Sequence, residues 1–281
     1  MKRQKSFQND QATLFLVATP IGNLQEMTPR AIETLNQAEV IAAEDTRNTL
    51  KLLKHFNIKT KLISHHRYNE FDSLKGILKL LREGKDVALV SDAGFPLICD
   101  PGSVLSQEVI KAGFNVVVIN GSSALLSALV ASGLTISPFY FHGFLPHGDN
   151  EAKKVLADLV SYPMTLIFYE SVHRLKRTLE LMLEVFGNRH ICLAKELTKL
   201  FEEYFRGNIK EVLTEIEDIK GEFVIIVEGK ADSLPDIALG DLVEKVEGYI
   251  TSGFSVSEAV KMVAKEANIS KNKLYRYIHL S

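Results

Sequence analysis

A chain of 281 residues with 46% hydrophobic and 24% charged side chains has the composition of a soluble globular protein, with room for two cores or for one core and an appendage. Its net charge of −2 excludes a globally basic nucleic-acid binder, so any RNA or DNA contact has to use local patches. The two cysteines, Cys99 and Cys192, form neither a disulfide framework nor a zinc pattern. Each borders an apolar run, which predicts buried thiols in a reducing cytoplasm and no metal site.

At the amino terminus Lys2, Arg3 and Lys5 precede polar residues rather than an apolar signal region, and residues 1–13 are expected to be a disordered lead-in. From residue 14 to 228 apolar β-branched runs alternate with helical patterns, which predicts largely parallel sheets with crossover helices. The first series of strands is Leu14 to Ala18, Val40 to Ala43, Lys61 to Ile63, Val87 to Val90, Asn115 to Ile119 and Phe139 to Phe141. The second is Thr165 to Tyr169, His190 to Ala194, Glu203 to Arg206 and Phe223 to Glu228. Thr28 before Pro29 is a helix start, with threonine as N-cap and proline in the first turn.

No Asp, Glu, Lys or Arg occurs between Lys111 and Asp149, but Gly121, Gly133 and Pro138 interrupt the run. A buried core with a small-residue helix from Ser122 to Ala131 is expected there, not a membrane span. The turn-rich stretch from Leu145 to Asn150 divides an α/β domain over 14–145 from a second one over 146–230. Beyond Gly229 strand signals cease, and Ala231 to Ile237 reads as a linker into a helical domain over 231–281. Leu242, Val243, Val246 and Ile250 share one helix face, and Val256, Ala259, Val260 and Val263 share another. Asn268-Ile269-Ser270 interrupts, and Lys271 to Ile278 completes a spacing like a helix-turn-helix. Lys271, Lys273 and Arg276, without an acidic neighbour on that helix, make a nucleic-acid face; the plain alternative is a capping bundle with solvated lysines.

The richest chemistry lies in VALVSDAGFPLICDPG, Val87 to Gly102, where a buried strand ends in a loop holding Asp92, Gly94, Pro96, Asp100, Pro101 and Gly102. In α/β proteins ligands collect outside the carboxyl ends of strands, where glycine and proline fix a backbone close to a ligand. Asn120-Gly121-Ser122-Ser123 likewise joins a strand to an alanine-rich helix, whose free amides suit a carboxylate. No G-x-G-x-x-G follows the first strand, Gly84-Lys85 is followed by Asp86 rather than Ser or Thr, and no G-x-S-x-G elbow occurs.

TPIGNL, AEDTRNT, SDAGFPLICDPG, INGSSALLSAL, FYESVHRL, AKELTKLFEE and GEFVIIVEG, in this order, closely resemble the bacterial small-subunit ribosomal RNA methyltransferase I family over about residues 14–281. The resemblance implies an α/β protein of the tetrapyrrole-methylase fold, with two α/β domains, a cleft between them and a small C-terminal helical domain. It also implies S-adenosylmethionine (SAM) as cofactor and 2′-O-methylation of a cytidine ribose in the decoding centre of 16S rRNA, with the small ribosomal subunit as partner. A cytoplasmic homodimer without a membrane partner is expected on the same ground. One departure is visible: Ser64 to Glu70 is similar to a segment that usually reads His-x-His-Asn-Glu, and Tyr68 replaces its second histidine while His66 and Asn69 match.

A ribose hydroxyl attacking a sulfonium methyl needs alignment and an acceptor for its proton. Glu44, Asp45 and Glu170 at strand ends, with His66, His173 and Lys199, are the candidates, and resemblance to the wider fold favours Asp45. Asp45 could instead cap its helix or pair with Arg47, and Glu170 could pair with Arg174. For the cofactor, Ser122, Ser123 and Ala124 would take the methionyl carboxylate. Asp92, Ala93, Gly94, Phe95 and Pro96 would line the other side, Thr19 and Pro20 the floor, and Tyr169, Leu197 and Phe223 match positions that contact the adenosyl portion in proteins of similar fold. Arg47, Arg67, Arg174, Lys176, Arg177 and Lys199 would flank the cleft toward RNA, together with the basic tail helix. Two rivals remain: methylation of a small tetrapyrrole, and non-catalytic RNA binding.

Overall fold

The computed structural model describes residues 3–66, 68–100, 102–217, 219–230, 239–267 and 271–278. The chain divides into two compact units, Met1–Gly229 and Lys230–Ser281.

The first sheet is parallel throughout. It contains β1 (Thr13–Val17), β2 (Val40–Ala43), β3 (Lys61–Ser64), β4 (Val87–Val90) and β5 (Asn115–Ile119), ordered β3-β2-β4-β1-β5. All four residues of β2 and of β4 are buried, as expected of central strands covered on both faces. Strand alternation sends Val17, Ile41, Ala43, Ala88 and Val90 to one face. There they meet Ala31 and Leu35 of α1 (Pro29–Gln37) and Leu53 of α2 (Thr46–His55). Leu14, Leu16, Ala42 and Leu89 pack on the other face against α3 (Glu70–Arg82) and α4 (Ser103–Ala112). The chain leaves β1 toward β2 and leaves β4 toward β5, so the strand order reverses between β1 and β4 and opens a crevice at their carboxyl ends.

After α5 (Ala124–Ala131) the second sheet holds β6 (Phe139–Phe144), β7 (Thr165–Ser171), β8 (His190–Lys195), β9 (Glu203–Asn208) and β10 (Glu222–Val227), ordered β6-β7-β10-β8-β9. It departs from the expected parallel arrangement, because only β6 and β7 run parallel and the other three pairings are antiparallel. β6 also belongs here rather than to the first series. Its partner is β7, so the change of sheet falls before Phe139, ahead of the turn-rich stretch at 145–150. One face is covered by α6 (Asp149–Leu159), α7 (Val172–Phe186) and α8 (Ile209–Glu215). The other receives α5: Ala128 and Leu129 pack with Ile167, Ala194, Val224 and Ile226, which joins the two sheets. The apolar run between Lys111 and Asp149 is thereby spent on a helix that bridges two sheets, and no helix among the described residues is long and apolar enough to cross a membrane.

The lead-in differs from expectation. β5 is an edge strand with unpaired main-chain groups, and the Gln4 side chain satisfies both sides of Val116 there, at 2.9 and 3.1 Å. Asn9 and Asn115 add a pair of amide contacts. Cys192 is buried as expected; Cys99 is exposed, because the loop after β4 carries it out of the sheet.

In the second unit α9 (Leu239–Thr251), α10 (Val256–Glu266) and α11 (Lys271–Ile278) close on Leu242, Val246, Ala259, Val260, Val263 and Leu274. Ile250 and Val256 sit at the edge, each more than a third exposed. Ser255 and Glu258 form a reciprocal capping box that starts α10. The expected linker over 231–237 and the interruption at 268–270 lie outside the described residues.

Candidate active site

The loops after β1 and β4 are zipped across the crevice. Thr19 N–H donates to Gly94 O at 2.9 Å and Gly94 N–H to Thr19 O at 3.0 Å. Thr19 is buried, and its hydroxyl donates to Ser91 O at 3.3 Å. Gly94 holds φ at +73°, the left-handed region that an L side chain rarely adopts, and a Cβ there would touch Ile21 and approach the Ser122 carbonyl. The loop thus reaches the start of α5 with bare backbone.

At that start Ser123 is the N-cap, its hydroxyl accepting from Leu126 N–H at 3.4 Å, and the Ser122 hydroxyl donates to Glu26 Oε2 at 2.5 Å. Tyr169, at the end of β7, comes to the same place. Its ring stands edge-on to Phe141 and Phe144, and burial pushes its phenol up to about 12, with a hydrogen bond from the Leu125 amide acting the other way. It is therefore a neutral phenol at physiological pH.

Asp45 follows β2 and caps α2. Its carboxylate accepts from Arg47 N–H at 2.8 Å and forms a two-point pair with the Arg47 guanidinium at 3.1 and 2.8 Å. Hydrogen bonds from the Arg47 side chain and backbone hold the carboxyl down at about 2. The Arg47 side chain is itself 88% exposed. One turn on, Asn48 Nδ2 donates to Asp92 Oδ2 at 3.1 Å, tying α2 to the loop after β4.

Between these elements lies a cavity of about 240 Å³. Thr19, Pro20, Gly22 and Leu24 line it from the first loop, Ser91 and Asp92 from the fourth, and Asn48, Thr49, Lys51 and Leu52 from α2. The α2 residues escaped the sequence analysis because RNTLKLLKH resembles any amphipathic surface helix. The available signal was that a helix capped by Asp45 places Asn48 and Leu52 on one face, four residues apart.

The other candidates fall into two groups. Lys199 stays at the crevice: its stem packs against the Gly22 backbone, and its ammonium donates to Glu196 at 2.9 Å and Glu222 at 3.0 Å. Partial burial opposes its charge, but the two carboxylates outweigh that and raise its pKa, so it is a fixed cation rather than a base. Leu197 is buried in the cluster around α5, and next to it Thr198 has φ +68° and a buried hydroxyl without a partner. His66 lies in the loop after β3, where its N–H donates to Asn69 Oδ1 at 2.8 Å and its Nδ1 is buried without a partner. Tyr68 beside it is 99% exposed.

Three residues face elsewhere. Along β7 the alternation puts Ile167 and Tyr169 toward α5, and Phe168 and Glu170 toward α7. Glu170 is buried there, accepting from Ser171 N–H at 2.8 Å and the Thr178 hydroxyl at 2.7 Å, with Arg174 at 3.6 Å. Arg174 donates to Leu145 O and Pro146 O at 3.0 and 2.8 Å, so it clamps the chain after β6 instead of facing a ligand. The Phe223 side chain belongs to the core under α7 and leaves only its main chain toward α5. Arg177 pairs with Asp149 and Glu180, and Lys176 and His173 are exposed on α7. Lys271 donates to the Ser257 hydroxyl at 3.0 Å; Arg67 and the side chains of Lys273 and Arg276 lie outside the described residues.

A family model described as Tetrapyrrole (Corrin/Porphyrin) Methylases matches residues 13–213. The chain is 47% identical over 287 aligned positions to a protein of Halalkalibacterium halodurans named ribosomal RNA small subunit methyltransferase I, with 99% of each chain covered. It is 43% identical to the protein of that name from Bacillus subtilis, covering 100% of this chain and 99% of the other. For the one from Escherichia coli O157:H7 the identity is 40%, with 99% and 98% covered. Among solved structures, the methyltransferase CobJ superimposes with a TM-score of 0.58 at 21% identity, over 78% of this chain and 95% of that one. Uroporphyrin-III-C-methyltransferase from Thermus thermophilus does so with a TM-score of 0.53 at 21% identity, over 78% and 94%. At that identity the likeness establishes the fold.

Proposed function

The chain belongs to the tetrapyrrole (corrin/porphyrin) methylase family and, within it, with the ribosomal RNA small subunit methyltransferase I proteins, and from that premise we propose that it methylates small-subunit ribosomal RNA using SAM. The observation that carries this is the resemblance of 40–47% over nearly the whole length to proteins of that name. The finer proposal is transfer to the 2′-hydroxyl of a cytidine ribose in the decoding centre.

The crevice fits such a cofactor. A bare backbone turn at Gly94 faces the capped start of α5, and Thr198 offers a buried hydroxyl without a partner close by. Amides of Ser122, Ser123 and Ala124 hold the carboxylate, Ala93 to Pro96 and Thr19-Pro20 form the walls, and Tyr169 and Leu197 close the side next to α5. When bound, SAM supplies a methyl group on a sulfonium. Asp45 accepts and aligns the ribose hydroxyl proton. A carboxylate held near 2 is a weak base toward a neutral hydroxyl, but the hydroxyl becomes strongly acidic as the new bond to carbon forms, so orientation matters more than basicity. Lys199 fixes Glu196 and Glu222 against the first loop.

Arg47, exposed beside Asp45, serves as a phosphate contact, with Arg67 and the tail-helix residues Lys271, Lys273 and Arg276 proposed for the same role. A second copy of the chain is the proposed partner for the exposed apolar side chains of β5 and α5, Val118, Leu126 and Val130, with sedimentation of the purified protein as the check.

The deciding experiment incubates small ribosomal subunits from a strain lacking the enzyme with labelled SAM, digests the RNA and identifies the labelled nucleoside. 2′-O-methylcytidine supports the full proposal; a base-methylated nucleoside overturns the ribose assignment, and no label in RNA overturns the substrate.

A further inference from the structure

The cavity beside α2 shares Thr19, Pro20 and Asp92 with the residues assigned to the cofactor but extends past them along α2. Gly94, Ser122 and Tyr169 are absent from its lining, which is completed instead by Asn48, Lys51, Leu52 and Leu24. At about 240 Å³ it falls below the ~300–1,000 Å³ typical of sites for drug-sized ligands, too small for a tetrapyrrole macrocycle and suited to one planar ring. Its polar wall sets a donor beside an acceptor. Asn48 Nδ2, a donor, sits 3.1 Å from Asp92 Oδ2, an acceptor, and the amide keeps a second hydrogen beyond the one given to Asp92.

We propose that this cavity receives the target nucleobase, swung out of the RNA, and that Asn48 and Asp92 read it as cytosine. The assignment rests on the ribosomal RNA methyltransferase reading above and adds to it the residues that choose the base. Cytosine presents N3 as acceptor beside an N4 amino donor, the complement of an amide donor beside a carboxylate. Uracil presents the reverse, and its O4 would face the Asp92 carboxylate. Leu24 and Leu52 supply the apolar surfaces against the ring faces, and the Lys51 ammonium at the rim meets the nucleotide's phosphate. A base held there hangs its ribose beside the Thr19–Gly94 seam, where the first and fourth loops meet.

The test uses the intact enzyme with small ribosomal subunits that lack the modification, carrying either cytidine or uridine at the methylated position. Wild type should favour cytidine at least tenfold in kcat/KM, the order given by a good two-point base contact of ~1–3 kcal/mol. Asp92→Asn, which can donate to O4, should bring the two substrates within about threefold. Leu52→Trp fills the cavity and should lower kcat/KM about a hundredfold while SAM affinity and thermal midpoint stay at wild-type values. If Leu52→Trp unfolds, Asn48→Phe at an exposed position replaces it. Filled variants that methylate cytidine subunits at the wild-type rate overturn the cavity assignment alone. Wild-type enzyme that labels neither substrate overturns the methyltransferase reading and the assignment with it.

Discussion

Asp45 and Glu170 occupy equivalent places, each a carboxylate just after or at the end of a strand with a helix following, yet their surroundings are opposite. β2 ends before Asp45, so its side chain leaves the sheet, caps α2 and meets solvent and Arg47. β7 runs through Glu170, so strand alternation turns that carboxylate under α7, where Thr178, Ser171 and Arg174 satisfy it. A strand that stops before its acid leaves it at a helix start in solvent, and one that runs through it buries it in the core. The same alternation separates Tyr169, which faces α5, from its neighbour.

The largest effect expected from this contrast is on chemistry. Asp45→Asn keeps the cap acceptor but loses the charge, and kcat should fall about a hundredfold or more while SAM affinity changes less than about threefold. Gly94→Ala comes next. At φ +73° it costs about 1–2 kcal/mol of stability from backbone strain, and it brings a methyl to the seam facing Ser122, so calorimetry should show SAM affinity reduced about tenfold. Truncation after Lys230 should weaken binding to small-subunit RNA and flatten its salt dependence with SAM binding intact; an unchanged salt slope would make the tail structural. The smallest effect concerns pH. The Asp45 carboxyl is depressed from 3.8 to about 2, so its stabilisation is fully present above the ordinary value and is lost as pH falls through about 2. Rate measurements between about pH 5 and 8 should therefore show no limb from Asp45, and an acidic limb within that range would assign the proton transfer to another group.

Much of this was legible in the sequence because it is local. β2, β4, β5 and α11 have the expected bounds, and the caps at Thr28 and Asp45 follow from residue type and position, while α5 starts two residues later than expected, at Ala124 with Ser123 as its cap. What was hidden depends on distant partners. β6 reads as a strand from its own residues, but its membership of the second sheet is set by β7, more than twenty residues on. Phe223 and Glu170 are cross-strand partners whose facing is fixed by register, and Arg174 follows Glu170 one helical turn on. Asn48 and Leu52 read as one face of an amphipathic surface helix, and their place beside the loop after β4 depends on the distant partner Asp92.

The most direct test of the account is the ratio of single-turnover methyl-transfer rates for Glu170→Gln and Asp45→Asn on the same unmodified small subunits, with both enzymes saturated with SAM. Glu170→Gln should lose stability by about 1–3 kcal/mol through its weakened buried hydrogen bonds yet transfer methyl near the wild-type rate once folded, giving a ratio of about a hundred or more. A ratio at or below one, with Asp45→Asn active and Glu170→Gln inert though folded, would place the acceptor group in the second sheet and contradict the assignment to the first.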